Sequence, residues 1–222
     1  MADINSLTVE ALAVLRSKNP WPGEKPGIND DYVAKGWLTF HTRMMLGRHI
    51  NEDAKIIVEL GTWRGMSTRF IADCAPDATV IAVDHWEGSD EHREIETQYE
   101  KMSKLMDMFF HDTWDYRARV IPLKARSVDG LNLIAQLGIS PDLIYIDADH
   151  SYEGAYADIT NAHRIFPNAI LIGDDFDWPG VRQAAVQAAY ENDAGIEYLG
   201  GPVAAAWRFV KNKSSVSAPT GI

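Results

Sequence analysis

Three observations predict an α/β fold with a mostly parallel sheet and helices on both faces. From Lys55 onward, short apolar runs alternate with longer helical patterns. The runs are nearly continuous in Val, Ile and Leu, as strands buried on both faces must be. Two of them, Ile144-Tyr145-Ile146-Asp147-Ala148-Asp149-His150 and Ile172-Gly173-Asp174-Asp175, break off into carboxylates. A buried strand reads this way where its C-terminal end opens into a site.

The elements follow in order. Residues 6–18 place Leu7, Ala11, Leu12 and Leu15 on one helical face. Asn19 to Gly27 is a rigid Pro/Gly connector, and a second helix is expected from Asp30 or Asp31 to Arg48. Both precede the first strand, so residues 1–50 are assigned to an N-terminal helical cap or lid. Strands are expected at Lys55–Leu60, Thr79–Asp84, Val120–Leu123, Leu143–Asp147, Ala169–Gly173, Gly195–Leu199 and Ala204–Val210. Helices are expected at Met66–Cys74, Asp90–Phe110, Val128–Leu137, Tyr152–Phe166 and Gly180–Asn192, with Ser127 as N-cap of the third. Gly200-Gly201-Pro202 is too short for a helical crossover, so the last two strands should be antiparallel. Residues 51–213 form the main domain. Residues 214–222 form a frayed Ser/Pro/Gly tail.

A chain of 222 residues suits one sizeable core. Its net charge of -11 argues against a nucleic-acid or anionic-membrane binder, which needs clustered Lys and Arg. The one cysteine, Cys74, allows no internal disulfide. Met1 to Asn19 lacks a signal-peptide pattern and no run is long enough to span a membrane, so the expected compartment is the cytoplasm.

The first strand runs into Glu59-Leu60-Gly61-Thr62-Trp63-Arg64-Gly65-Met66-Ser67. A dinucleotide fingerprint needs G-x-G-x-x-G, and Trp63 and Met66 stand where its second and third glycines belong. A P-loop needs G-K-[ST], which is also absent. The loop therefore suits a cofactor without phosphates that carries an amino-acid moiety and a ribose. Gly61 and Gly65 let the backbone approach it, Glu59 offers an acid to an ammonium, and Thr62, Trp63 and Ser67 line the turn. Asp84 ends the second strand 23 positions after Gly61, close to the spacing of a ribose-gripping acid. His85 sits beside it, and Trp86 offers a ring for stacking an adenine or a core position. Met102, Leu105, Met106, Met108, Phe109 and Phe110 read as a helix-packing stripe, with an acceptor pocket as the rival.

With these residues the chain resembles the class I S-adenosylmethionine-dependent methyltransferases. More narrowly it is similar to the metal-dependent small-molecule O-methyltransferases. These include the catechol and caffeoyl-CoA types, the macrolide-sugar O-methyltransferases and the cephalosporin-methoxylation enzyme. The resemblance runs from about Lys55 to Val210 and is most specific at Ile146 to Gly154 and Gly173 to Val181. It implies a Rossmann-like methyltransferase fold whose seven-stranded sheet has an antiparallel last strand. It also implies that Asp147, Asp174 and Asp175 hold a divalent cation, Mg²⁺. Glu59, Gly61, Gly65, Asp84 and Asp147 would meet S-adenosylmethionine, and Ser127 its adenine. His150 would take the acceptor's proton where catechol types carry lysine. Asp175, where those types often carry Asn, moves the likeness toward the tailoring group. The acceptor expected from this likeness is a small-molecule hydroxyl on a sugar, phenol or natural product, and homo-oligomerisation stays open. Two rivals remain. One is a glycosyltransferase using Asp147-Ala148-Asp149 as an acid-x-acid motif, and the other is a non-catalytic cofactor-binding module.

Overall fold

A computed structural model describes residues 5–28, 35–88 and 102–211. The first helix, α1, is Ser6–Lys18, capped by the Asn5 side chain on the Thr8 amide at 2.8 Å. Ala11 and Leu15 turn inward, whereas Leu7, expected on that face, is exposed. Helix α2 is Phe40–His49, later than the sequence predicts. Residues 29–34 lie outside the described region. Thr39 stops the helix extending backward, because its extended backbone lets its hydroxyl accept the Thr42 amide at 3.1 Å.

The alternating part follows as β1 Ile56–Leu60, α3 Met66–Cys74, β2 Thr79–Asp84, α4 Leu105–Thr113 and β3 Val120–Lys124. Then come α5 Ser127–Gln136, β4 Leu143–Ile146, α6 Tyr152–Ile165, β5 Ile170–Gly173, α7 Pro179–Glu191, β6 Ala194–Gly201 and β7 Ala204–Lys211. Most of the helix expected at Asp90–Phe110 falls outside the described residues. Its described remainder is α4, whose Leu105, Met108, Phe109 and Phe110 are buried, as a packing stripe requires.

Among the described residues the seven strands form one sheet in the order β3-β2-β1-β4-β5-β7-β6. The pairs from β3 to β5 are parallel, and β7 is antiparallel to both β5 and β6. The order reverses between β1 and β4, which is where ligands bind in open α/β sheets.

The strand period of two sorts the core into two layers. Val58, Leu60, Ile144 and Ile146 face α1, α5, α6 and α7. Ile57, Leu143 and Tyr145 face α2, α3 and α4. The two N-terminal helices thus contribute to opposite faces. No described helix is long and apolar enough to cross a membrane.

Candidate active site

The loop between β1 and α3 sits on the end of β4. Gly61 has φ +80, and a Cβ there would lie 2.0 Å from the Asp147 carbonyl oxygen. Only glycine lets the loop lie this flat. Asp84 shapes the loop from the next strand. Its Oδ2 accepts the Thr62 and Trp63 amides at 2.8 and 2.9 Å, and its Oδ1 accepts the Trp86 amide. Trp63 is held at φ 50. The Thr62 hydroxyl is buried and has no hydrogen-bond partner among the described residues. His85 Nδ1 accepts the Glu87 amide at 3.0 Å.

Glu59 departs from its predicted role. It shares the inner face of β1 with Ile57, so α3 covers it and its exposure is 0%. The Ser67 hydroxyl donates to one carboxylate oxygen, and the Thr68 hydroxyl to the other at 2.5 Å. Both hydroxyls therefore face the carboxylate, and none of it is left open to an ammonium. Burial pushes its pKa up to about 7 against the opposing hydroxyl bonds. Glu59 and Ser67 act as the underside of the loop.

Trp86 is also corrected. It is 3% exposed, its indole N–H donates to the Trp63 carbonyl, and its ring packs 5.0 Å from Phe109. No open face remains for an adenine. Ser127 is the first residue of α5 rather than its cap. Arg126 takes the cap position without a side-chain bond, and the Ser127 hydroxyl is engaged by buried Asp158.

The carboxylate centre is built at the tips of β4 and β5. Asp147 follows the parity of Tyr145, and Asp174 that of Ile172, so both lean toward the α2 face. The Tyr145 hydroxyl donates to Asp147 Oδ2 at 3.2 Å and Asp174 Oδ2 at 3.1 Å. Thr42 comes from α2 and donates to both Asp174 oxygens at 2.9 Å. The Asp175 amide adds a bond to Asp174 Oδ1 at 3.0 Å. Asp174 is thereby held in the interior of the cluster.

Asp175 has φ 56, a conformation that costs a non-glycine residue about 1–2 kcal/mol. That turn brings its Oδ2 within 3.0 Å of His150 Nε2, whose ring lies 4.7 Å from Trp178. Ligand atoms of Asp147, His150 and Asp175 all lie within 4.8 Å of one another. Asp149 is not in that group, and its Oδ1 accepts the Ser151 amide at 2.7 Å at the start of α6. The acid-x-acid reading thus loses its second carboxylate. Asp177 is half-buried and accepts the Ala205 amide at 3.0 Å.

The electrostatics follow from this crowding. Burial, then Asp174 and Asp175, raise the Asp147 pKa well above the carboxylate range. Burial and Asp175 raise that of Asp174, opposed by Thr42, the Asp175 amide and Tyr145. The set disfavours its own full ionisation, and a divalent cation with oxygen ligands would relieve it.

Sequence reasoning missed Thr42, Tyr145 and a buried pair, Arg64 Nε to Asp112 Oδ2 at 2.8 Å, that anchors the cofactor loop to α4. Tyr145 was findable, since it lies two positions before Asp147 in the same strand. Thr42 lies 132 positions from Asp174 and carries no local signal.

The family model that matches the chain is described as a methyltransferase domain and covers residues 58–176. No curated protein is similar enough in sequence to match. Solved structures share the architecture. The O-methyltransferase from Bacillus cereus in complex with SAH is 21% identical over 95% of this chain and 93% of that one, with a TM-score of 0.52. The O-methyltransferase TomG from Streptomyces achromogenes, involved in tomaymycin synthesis and in complex with SAM, is 16% identical. It matches 95% of this chain and 92% of that one, with a TM-score of 0.52. A precorrin-6y C5,15-methyltransferase from Geobacter metallireducens is 13% identical over 87% of this chain and all of that one, with a TM-score of 0.55. Identities this low show the fold. The family match spans more than half of the chain, from the strand that precedes the glycine loop to the residue after Asp175. The chain belongs to the methyltransferase-domain family and has the class I fold of S-adenosylmethionine-dependent methyltransferases.

Proposed function

We propose that this protein transfers a methyl group from S-adenosylmethionine to a hydroxyl of a small molecule, assisted by a divalent cation such as Mg²⁺. The observation that carries this reading is contiguity. The Gly61 backbone lies directly against Asp147, the residue that opens the carboxylate centre. A cofactor on the loop and an acceptor at the carboxylates would therefore be neighbours. The two O-methyltransferases of similar fold were solved with SAH and with SAM, which supports the choice of cofactor.

The residues fit both groups. Gly61, Thr62, Trp63 and Gly65 would cradle the cofactor, with the buried Thr62 hydroxyl still lacking a hydrogen-bond partner among the described residues. Asp84, His85 and Ser127 would meet its ribose and adenine. Asp147, Asp174 and Asp175 would hold the cation. When bound, the cofactor supplies an electrophilic methyl and the cation a charge that acidifies hydroxyls.

This chain's own work is positioning and proton handling. His150 presents Nε2 beside Asp175, with its ring set against Trp178. An imidazole titrates near neutrality, so His150 is the side chain suited to take the acceptor's proton. Tyr145 and Thr42 keep the carboxylates in register. The proposed compartment is the cytoplasm, with neither nucleic acid nor membrane as partner.

Methyl transfer to a panel of phenols and sugars, with and without excess EDTA, tests the reading. Chelation should abolish turnover. His150→Ala should lower the rate by about 10²–10⁴ while SAH affinity holds. Full activity in EDTA would remove the cation from the reading. Absence of SAH binding would remove the whole of it.

A further inference from the structure

Beyond the carboxylate centre, a cleft of about 460 Å³ opens at the β6–β7 edge. Phe176, Arg182, Tyr198, Gly200, Gly201 and Pro202 contribute to its lining. Arg182 is the one charged residue among the lining residues. In a chain of net charge -11, an acid-free cleft with one cation is selective by sign.

The arginine is pinned. Its Nε–H donates to the Phe176 carbonyl at 2.8 Å, and its guanidinium lies 5.3 Å from the centre of the Phe176 ring. That ring stacks on Tyr198 at 5.3 Å and 26°, and Tyr198 is 61% exposed. Arg182 has five N–H donors, of which this arrangement spends one. No other acceptor engages it among the described residues. A guanidinium fixed this way loses little entropy when its planar fork meets a carboxylate. The exposed face of Tyr198 offers a platform for the ring that bears it.

The cleft shares its loop with the carboxylate centre. The Phe176 amide donates to the Ala205 carbonyl at 2.8 Å, and Asp177 accepts the Ala205 amide. One five-residue loop, 174–178, thus sends Asp175 toward His150 and Phe176 into the cleft.

We infer that the Arg182–Phe176–Tyr198 stack is a binding site for a planar organic anion, an aromatic carboxylate. Its place on the loop of Asp174 and Asp175 makes an acidic arm of the methyl acceptor the fitting occupant. That last identification alone rests on the methyl-transfer reading.

Calorimetric titration of the full-length protein with benzoate, and with benzyl alcohol as its neutral counterpart, tests the site. Benzoate should bind saturably and benzyl alcohol should not. Arg182→Met should weaken benzoate at least about tenfold, as loss of a charge-assisted pair does, with Arg182→Lys intermediate. Tyr198→Ala should also weaken it. SAH affinity, titrated separately, should stay unchanged in all three variants. No benzoate binding to the wild type, or equal binding to Arg182→Met, would overturn the inference. A wild type that binds benzoate but not SAH would keep this site and sink the methyl-transfer reading.

Discussion

Replacing Gly61 with alanine tests whether the cofactor loop is pressed onto the carboxylate centre. Two costs add. The residue sits at φ +80, where a side chain costs about 1–2 kcal/mol. The new Cβ would also lie 2.0 Å from the Asp147 oxygen and 2.6 Å from the Ala148 Cα, against comfortable contacts of roughly 3.5 Å. Both neighbours are backbone, so the loop or the end of β4 must shift, at about 1–3 kcal/mol for overpacking of this kind. The total is about 2–5 kcal/mol. Gly138 provides the control. It has φ +72, but a Cβ there meets nothing within 4 Å, so Gly138→Ala carries only the conformational cost. Urea unfolding followed by tryptophan fluorescence and circular dichroism gives both values, provided the two probes coincide. Gly61→Ala should be the more destabilised by about 1–3 kcal/mol and should lose SAH affinity, whereas Gly138→Ala should keep it. Equal destabilisation of the two variants, or unchanged SAH affinity in Gly61→Ala, would refute the reasoning.

Buried Glu59 and Asp158 both have pKa values raised to about 7 from the ordinary carboxyl values of 4.5 and 3.8. Below the ordinary values both states are protonated and no penalty arises. As pH rises toward 7 the unfolded chain releases protons that the folded one keeps, so stability should fall across this window. For Glu59 the loss reaches about 3 kcal/mol above pH 7. Glu59→Gln should flatten the decline in urea unfolding free energy measured from pH 5 to 8. A wild type whose stability rises over that range would contradict the burial argument. Thr42→Val removes the hydroxyl that bonds both Asp174 oxygens and should cost about 1–3 kcal/mol, as loss of a hydrogen bond to a buried carboxylate does. It should also weaken Mn²⁺ binding measured by electron paramagnetic resonance, and Thr42→Ser should restore it. If serine fails where valine failed, the hydroxyl is not the cause.

Much of the fold was legible because it follows from local periods. Runs such as Ile144 to Ile146 had to be buried strands, and the short link Gly200 to Pro202 forced an antiparallel pair. The acids at the ends of β4 and β5 were legible for the same reason, since apolar runs ending in carboxylates mark where strands leave the core. The misses have a different character. Trp86 and Glu59 sit at positions where sequence shows residue type but not what covers them. Trp86 is claimed by Phe109, from a helix 23 positions away, and Glu59 by Ser67 and Thr68 of α3. Ser127 was read as a cap, but Arg126 already has the extended backbone of that position.

By itself, the sequence determined the layered α/β class, the flat glycine turn at Gly61 and the acids of the site. Strand alternation, backbone sterics and the end of an apolar run are properties of neighbouring residues. Only the tertiary structure decided how those acids divide their labour. Asp174 is tied inward by Thr42 and Tyr145, and Asp175 is turned out to His150 by a left-handed backbone. Two adjacent aspartates are equivalent as letters. Their difference comes from hydrogen-bond donors on α2 and β4, which only the folded chain brings together.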